Sequence, residues 1–138
     1  MSKLMNMIKR HEGLKLKPYN CSRGALTIGC GRNLDSMGIT EDEALYLLTN
    51  DVRRVIEELE ANFSWFKDLS GARRDAIIDL CFNIGITSLR LFRNANKSMS
   101  ECDYEEAHLH YLDSRWADEV GARAIEVCDM IRTNEYQF

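Results

Sequence analysis

The sequence predicts an α+β fold that is mostly helical, with a small β-hairpin lobe and a helical lobe separated by a cleft. Apolar residues recur at helical spacing through most of the chain, which contains a single proline. Residues 14–33 alternate instead with the period of a strand. A length of 138 residues suits one domain. We expect lobes at about 1–39 and 61–138, joined by an inter-lobe helix at about 40–60.

The N-terminal segment predicts a short amphipathic helix at about residues 3–12. Its face repeats at i, i+3, i+4 and i+7 with Leu4, Met7, Ile8 and His11. Gly13 is a natural C-terminal stop. Glu12 then lies at the last turn, where the helix dipole and partial burial favour the protonated form that a general acid needs. The alternative is a surface glutamate at a frayed helix end.

Residues 14–33 predict two short strands paired as a hairpin around a turn at residues 22–24. Leu26, Ile28 and Cys30 point to one face, so Cys30 is expected to be a small core residue. Thr27 points to the other face, beside glycines that leave room for a ligand. An exposed threonine can also be no more than a good strand former.

The rest of the chain predicts helices. Thr40 and Glu43 form a capping box at the start of the inter-lobe helix. Ser70 begins the next helix and Gly85 ends it, and shorter helical patterns follow at about 87–93, 103–113, 115–120 and 121–132.

Charge is unevenly distributed along the chain. Residues 1–32 carry seven Lys and Arg against Glu12 alone, a net charge of +6, whereas the whole chain has −4. A basic lobe on an acidic body suits an anionic polymer, although a solvated basic face explains the charge equally well. Nucleic acid is a weaker hypothesis, because no recognised binding motif accompanies the lysines.

The cysteines indicate a reducing environment. Five are present, an odd number without C-x-x-C spacing, which argues against a zinc site and a full disulfide framework. The N-terminal residues contain no apolar run of the length of a signal peptide or membrane anchor. We therefore expect a cytoplasmic protein with free thiols.

One motif links the candidate residues to a known family. Glu12 is followed after eight residues by Cys21 and after five more by Thr27, within EGLKLKPYNCSRGALTIGCG. This spacing resembles that of the phage-type lysozymes, T4-lysozyme-like muramidases, and further similarity runs in order to the closing IRTNEY. Two features depart from the family pattern. The segment between Arg32 and Thr40 is short, and the second catalytic position is a cysteine instead of the commoner aspartate.

The resemblance implies a glycoside hydrolase that cleaves the β-1,4 bond between N-acetylmuramic acid and N-acetylglucosamine in peptidoglycan. Glu12 would be the general acid, and Thr27 would orient the attacking water. Arg123 matches a family arginine that pairs with the catalytic glutamate. Cys21 could act as a base on water, as a nucleophile, or not at all. The family favours inversion of configuration.

The resemblance also carries weaker implications. Asn33, Phe82 and His110 match residues that line the saccharide cleft, although Phe82 suits a helical core equally well. No cofactor or metal is implied. The expected partner is peptidoglycan, without nucleic acid or stable membrane association, and the protein is expected to be a monomer. As a phage endolysin it would accumulate in the host cytoplasm and reach the periplasm and wall at lysis through a separate holin. A tail-associated lysozyme fits the domain equally well.

Three other functions stay open. A lytic transglycosylase would cleave the same bond with one acid and form an anhydro product, which the absence of a second carboxylate makes conceivable. A non-catalytic wall-binding module could keep the fold, but the presence of Glu12 and Thr27 argues against it. A nucleic-acid-binding helical protein would place its basic residues on one helix, whereas here they surround the hairpin.

Overall fold

The computed structural model describes residues 1–138 and confirms a mostly helical α+β fold with a small antiparallel sheet. The helices are α1 Lys3–Glu12, α2 Glu41–Asn62, α3 Gly71–Ile84, α4 Ile86–Arg90, α5 Arg93–Ser100, α6 Tyr104–Leu112, α7 Arg115–Val120 and α8 Ala122–Thr133. The strands are β1 Lys15–Asn20, β2 Leu26–Gly29 and β3 Arg32–Asn33, and a 3-10 turn covers Ser64–Asp68. The chain divides into two compact units, residues 1–47 and 48–138.

Helix α1 has the predicted bounds. The Ser2 hydroxyl caps its start by accepting from the Met5 amide at 3.1 Å. Gly13 ends it with φ of 80° and donates its amide to the Lys9 carbonyl at 2.8 Å. No residue of α1 is buried, and Glu12 is exposed. The predicted partial burial of Glu12 was therefore wrong.

The sheet has three antiparallel strands in the order β1-β2-β3, one more than the predicted hairpin. The third strand contains only two residues, too few for periodicity to reveal. Tyr19 and Asn33 both pair with Thr27, and Arg32 pairs with Ile28. Strand β1 contains an irregularity in register between Lys15 and Tyr19, in the segment that holds the only proline, and it lies at a sheet edge where a missing amide donor is tolerated.

The faces of β2 are the reverse of the prediction. Thr27 is only 3% exposed and is the single buried residue of unit 1–47. Leu26 is exposed, Ile28 is half-buried, and Cys30 is exposed in the turn after β2, so the expectation of a core cysteine was wrong. In so small a sheet, the apolar face has no second layer within its own unit that buries it.

Helix α2 begins with the predicted capping box. The Thr40 amide donates to Glu43 Oε1 at 3.1 Å, and the Glu43 amide donates to Thr40 Oγ1 at 3.2 Å. The Glu43 carboxylate also accepts from Arg32 Nη1 at 2.8–2.9 Å. The same Arg32 atom donates to the Gly38 carbonyl at 3.1 Å, so one guanidinium connects β3 to the start of α2.

Unit 48–138 contains the hydrophobic core. Its largest fully buried side chains are Leu59, Phe66, Ile77, Leu80, Cys81, Leu89, Met99, Tyr111, Cys128 and Ile131. Helix α3 has its predicted caps, Ser70 and Gly85. Trp116 is buried as expected, and its indole donates to Asn83 Oδ1 at 2.7 Å. Helix α5 was not predicted, because RNANKSMS presents only small or polar residues beside Met99.

All five cysteines are free, as the sequence predicted. No helix combines the length and the apolar character needed to cross a membrane.

Candidate active site

One face of the small sheet collects the residues of the predicted motif. Tyr19, Thr27 and Asn33 lie opposite one another on neighbouring strands, so their side chains project from the same face. Cys21 directly follows the end of β1, and its thiol is within hydrogen-bonding reach of the Thr27 hydroxyl. The structure therefore brings Cys21, Thr27 and Asn33 together, although no sequence pattern alone fixes such a register.

A tight turn surrounds the Cys21 thiol with donors. The Cys21 carbonyl accepts from the Gly24 amide at 2.8 Å, and the Cys21 amide donates to the Ala25 carbonyl at 2.9 Å. Backbone hydrogen bonds from Arg23 and Ala25 lower the pKa of the Cys21 thiol, and the Thr27 hydroxyl and the Arg23 charge add to this shift. Desolvation opposes it. The arrangement enriches the thiolate, the form of cysteine that acts as a base or nucleophile.

The Thr27 hydroxyl serves both the turn and the thiol. Its oxygen donates to the Ala25 carbonyl at 2.8 Å, and it is also within hydrogen-bonding reach of the Cys21 sulfur. A hydroxyl has one proton and two lone pairs. When its proton goes to the Ala25 carbonyl or to the sulfur, the oxygen can still accept a hydrogen bond from a water molecule. The catalytic role of Thr27 stays a prediction.

Glu12 reaches the sheet at Gly31. A Cβ atom placed on Gly31 would lie 2.9 Å from Glu12 Oε2 and 3.2 Å from its carboxyl carbon. The carboxyl group therefore lies directly against the backbone of the turn between β2 and β3. Gly31 has φ of 81° and directly precedes the first residue of β3, Arg32. The Glu12 carboxyl therefore lies at the end of the sheet formed by the β2–β3 turn.

The side-chain NH₂ of Asn33 is the part of this residue that a ligand can contact. Its side-chain oxygen accepts from the Ser36 amide at 3.0 Å and so closes the turn after β3. The side-chain NH₂ remains available as a donor. Asn33 is half-buried beside Thr27, a position from which it could contact a sugar hydroxyl.

Phe82 and Arg123 belong to unit 48–138, where both line a cavity of about 410 Å³. Phe82 is 44% exposed, which excludes the core position that its sequence also allowed. Arg123 makes a two-point ion pair with Asp79, at 3.0 and 3.1 Å. The predicted pairing of Arg123 with Glu12 is not among these contacts and stays a prediction.

His110 lines a separate, smaller cavity of about 200 Å³ in the same unit, together with Phe92, Asn94 and Asp113. Its Nε2 lies 3.6 Å from Glu106 Oε2, one helical turn earlier on α6. The polar lining is compatible with a saccharide or peptide ligand. The role of His110 in substrate binding stays a prediction.

A cavity of about 550 Å³ in unit 1–47 lies elsewhere. It is lined by Ile28, Cys30 and Arg32, which alternate with the residues of the candidate site, and by Ile39 and Tyr46. None of Glu12, Cys21 and Thr27 contacts it. Volume alone would therefore point to the apolar face of the sheet, whereas the titratable and hydrogen-bonding groups converge on the other.

Sequence reasoning missed two residues of these sites. Gly31 belongs to the TIGCG segment that was singled out, but only the structure shows how closely Glu12 approaches it. No sequence pattern identified Asp79, because an acidic residue on an exposed helix face is ordinary. Its pairing with Arg123 spans 44 residues.

Comparison with known proteins gives a consistent result. The model of the family described as phage lysozyme matches residues 9–129, which include Glu12, Cys21, Thr27 and Arg123. An endolysin of Acyrthosiphon pisum secondary endosymbiont phage 1 is 32% identical over 115 residues, covering 80% of this chain and 75% of the endolysin.

More distant relatives include a probable T4-type lysozyme 1 of Dictyostelium discoideum, 26% identical over 96% of this chain and 95% of its own length. The pre-baseplate central spike protein Gp5 of Enterobacteria phage T4 is 23% identical over 97% of this chain, which corresponds to 28% of the spike protein. Similar sequences thus occur both as whole proteins and as parts of a larger one.

Proposed function

Because the chain belongs to the phage lysozyme family, a family of glycoside hydrolases, we propose that it cleaves the β-1,4 bond between N-acetylmuramic acid and N-acetylglucosamine in peptidoglycan. The observation that carries this proposal is the small sheet itself, where hydrogen bonds from backbone amides and Thr27 lower the pKa of the Cys21 thiol and the Glu12 carboxyl lies against Gly31 in the β2–β3 turn. The basic charge of residues 1–32 suits a polymer that carries carboxylates.

Glu12 is the proposed general acid. Its protonated carboxyl donates to the glycosidic oxygen as the bond from that oxygen to the anomeric carbon breaks. Positive charge then develops on the sugar ring in an oxocarbenium-like transition state. No second carboxylate is needed for this step, because the donated proton neutralises the leaving alkoxide.

Cys21 and Thr27 are the proposed activators of water. The Thr27 oxygen accepts a hydrogen bond from the water and fixes its position, and the Cys21 thiolate accepts the proton that the water loses as it attacks the anomeric carbon. The attack comes from the face opposite the leaving oxygen, so the configuration inverts. An acid and a base separated by roughly 6.5–9.5 Å leave room for such a water.

The remaining predicted residues are proposed to support Glu12 or to bind the glycan. Arg123 is the proposed supporting residue, as the family resemblance implies, and Asp79 holds its guanidinium in place through the two-point ion pair. Asn33, Phe82 and His110 bind the glycan, through an amide donor, an exposed aromatic ring and an imidazole.

The proposed biological role is that of an endolysin. The enzyme would accumulate in the host cytoplasm as a monomer and reach the periplasm and wall at lysis, when a separate holin opens the membrane. Free thiols suit the reducing cytoplasm. The similarity to a phage endolysin over most of the chain supports this role more than the similarity to a tail spike, which covers a fraction of that larger protein.

Glu12→Gln tests the proposal. Gln is nearly isosteric but has no proton to donate, so lysis of outer-membrane-permeabilised cells should fall at least about 100-fold. Because Glu12 is exposed, the fold should be retained, as the backbone amide spectrum of residues 3–33 would show. Activity within a few-fold of the wild type would contradict the assignment of Glu12.

The products of the wild-type enzyme provide a second test. Hydrolysis leaves muropeptides with a reducing end, 18 mass units heavier than the anhydro products of a lytic transglycosylase, since one water is added. Detection of anhydro products alone would favour the transglycosylase, which the replacement of the second carboxylate by Cys21 makes the strongest competing function.

A further inference from the structure

We propose that Gly31 is a positioning residue for Glu12: the absence of a side chain at this position creates the seat in which the acid's carboxyl group lies. The inference rests on the proposed function of Glu12. It concerns a contact that is measurable apart from activity, so the two can fail separately.

The contact is closer than any other residue would allow. A Cβ atom on Gly31 would come within 2.9 Å of Glu12 Oε2, 3.2 Å of its Cδ and 3.3 Å of its Cγ. Carbon and oxygen atoms that are not bonded pack at roughly 3.5 Å or more. Three atoms of one side chain are involved, so rotation of the carboxyl group about its last bond would not relieve the overlap.

The turn that carries Gly31 is held in place. Arg32, the next residue, pairs with Ile28 across the sheet and binds the Glu43 carboxylate and the Gly38 carbonyl through its guanidinium. Glu43 is itself fixed by the capping box with Thr40. A Cβ atom at position 31 would therefore lie between the anchored backbone of the turn and the exposed, flexible side chain of Glu12. Of the two, the Glu12 side chain is the one that moves.

This difference predicts a loss of activity that exceeds any loss of stability. Glu12 has room to rotate into solvent at little energetic cost, because it is exposed. Its carboxyl would then leave the position from which it protonates the glycosidic oxygen. Misplacement of a catalytic group by about 1 Å can lower the rate on the order of 100-fold.

Gly29→Ala provides the matched control. Gly29 and Gly31 both have positive φ, 71° and 81°, so an alanine at either position introduces comparable backbone strain. A Cβ on Gly29 meets nothing within 4 Å, whereas a Cβ on Gly31 meets Glu12. The difference between the two variants therefore isolates the contact with the acid from the effect of strain.

Shortening the acid gives a second control. Glu12→Asp withdraws the carboxyl by one methylene and should lower activity by itself. If Gly31 acts by seating the glutamate, Gly31→Ala should cause a smaller loss in Glu12→Asp than in the wild type, because Glu12 Oε2, the atom only 2.9 Å from the added Cβ, is withdrawn. Two changes that act independently would multiply instead.

The experiment measures kcat and KM on soluble glycan for wild type, Gly31→Ala, Gly29→Ala, Glu12→Asp and the double variant Glu12→Asp/Gly31→Ala. We expect kcat to fall 10- to 100-fold for Gly31→Ala with KM within two-fold. Gly29→Ala adds its methyl to the open space beside Thr27, so it should raise KM while kcat changes less than three-fold. Equal losses of kcat in the two glycine variants would overturn the proposal, as would multiplicative losses of kcat in the double variant.

The carboxyl ¹³C resonance of Glu12 reports the contact without activity. It should shift in Gly31→Ala and stay unchanged in Gly29→Ala. An unchanged resonance in Gly31→Ala would overturn the inference even if Glu12→Gln is inactive. A shifted resonance combined with an active Glu12→Gln would instead keep the seat and refute the catalytic role of Glu12.

Discussion

Tyr111→Phe is expected to destabilise the helical unit through a single hydroxyl group. Tyr111 is completely buried, and its hydroxyl donates to Asn96 Oδ1 at 2.7 Å. The Asn96 side chain in turn donates to the Leu89 carbonyl at 2.8 Å, so three helices, α4 to α6, share one buried polar chain. Burial raises the pKa of the Tyr111 hydroxyl, which therefore keeps its proton and donates at neutral pH.

The size of the effect follows from what the substitution leaves behind. Phenylalanine keeps the ring and its tilted contact with Phe92, at 5.5 Å between centroids, and so creates almost no cavity. The Asn96 oxygen, however, loses its donor inside the core. A buried acceptor without a partner costs about 1–3 kcal/mol. With an unfolding entropy of about 2.1 cal/mol/K per residue, the melting temperature should fall by roughly 3–10 °C.

Urea unfolding followed by tryptophan fluorescence measures this loss, since Trp65 and Trp116 are both buried in the same unit. Tyr136→Phe is the matched control. Its hydroxyl also donates to a side chain, Asp75, but Tyr136 is 51% exposed, so its removal should change the free energy of unfolding by less than about 0.5 kcal/mol. A Tyr111→Phe variant as stable as this control would refute the reasoning, because the Asn96 oxygen would then need another partner.

The thiols support two further predictions. Alkylation of Cys21 by iodoacetamide, followed by mass spectrometry, should have a pH midpoint below that of an ordinary thiol, because the Cys21 pKa is lowered and the reactive thiolate forms as pH rises through it. Thr27→Val should move this midpoint up, and alkylation of the wild type should abolish lysis. Cys21→Asp should retain activity and resist the reagent, while Cys21→Ala should lyse cells much more slowly; a fully active Cys21→Ala would make the thiol a bystander. Cys81 and Cys128 should stay unlabelled in the native protein at pH 8 by mass spectrometry, since burial raises their pKa values to about 11 and about 12; labelling of both before unfolding would contradict this burial.

The sequence predicted those parts of the fold that depend on neighbouring residues. The capping box of Thr40 and Glu43 and the glycine stops of α1 and α3 need only a few adjacent positions to form. Strand β3 and helix α5 were not predicted, for two different reasons. Two residues are too few to show a period, and the eight residues of α5 bury mostly small or polar side chains.

The sequence predicted which residues belong to the candidate site better than it predicted their contacts and burial. The motif identified Glu12, Cys21 and Thr27, and the structure brings the last two into contact. The buried face of β2 is the opposite of the predicted one. Alternation along β2 shows that the strand has two faces, but it does not show which of them is covered. The seat at Gly31 depends on a distance between residues 19 positions apart, and no local pattern encodes such a distance.

The distribution of buried residues determines what a denaturation curve reports. The buried apolar side chains all lie beyond residue 54, and Thr27 alone is buried before that point. Heat capacity changes and denaturant m-values scale with the surface that unfolding exposes. The calorimetric signal of this protein therefore originates mainly in residues 48–138. A variant with a damaged sheet face can melt like the wild type, so an unchanged melting temperature is no proof that the face carrying Cys21 and Thr27 is intact.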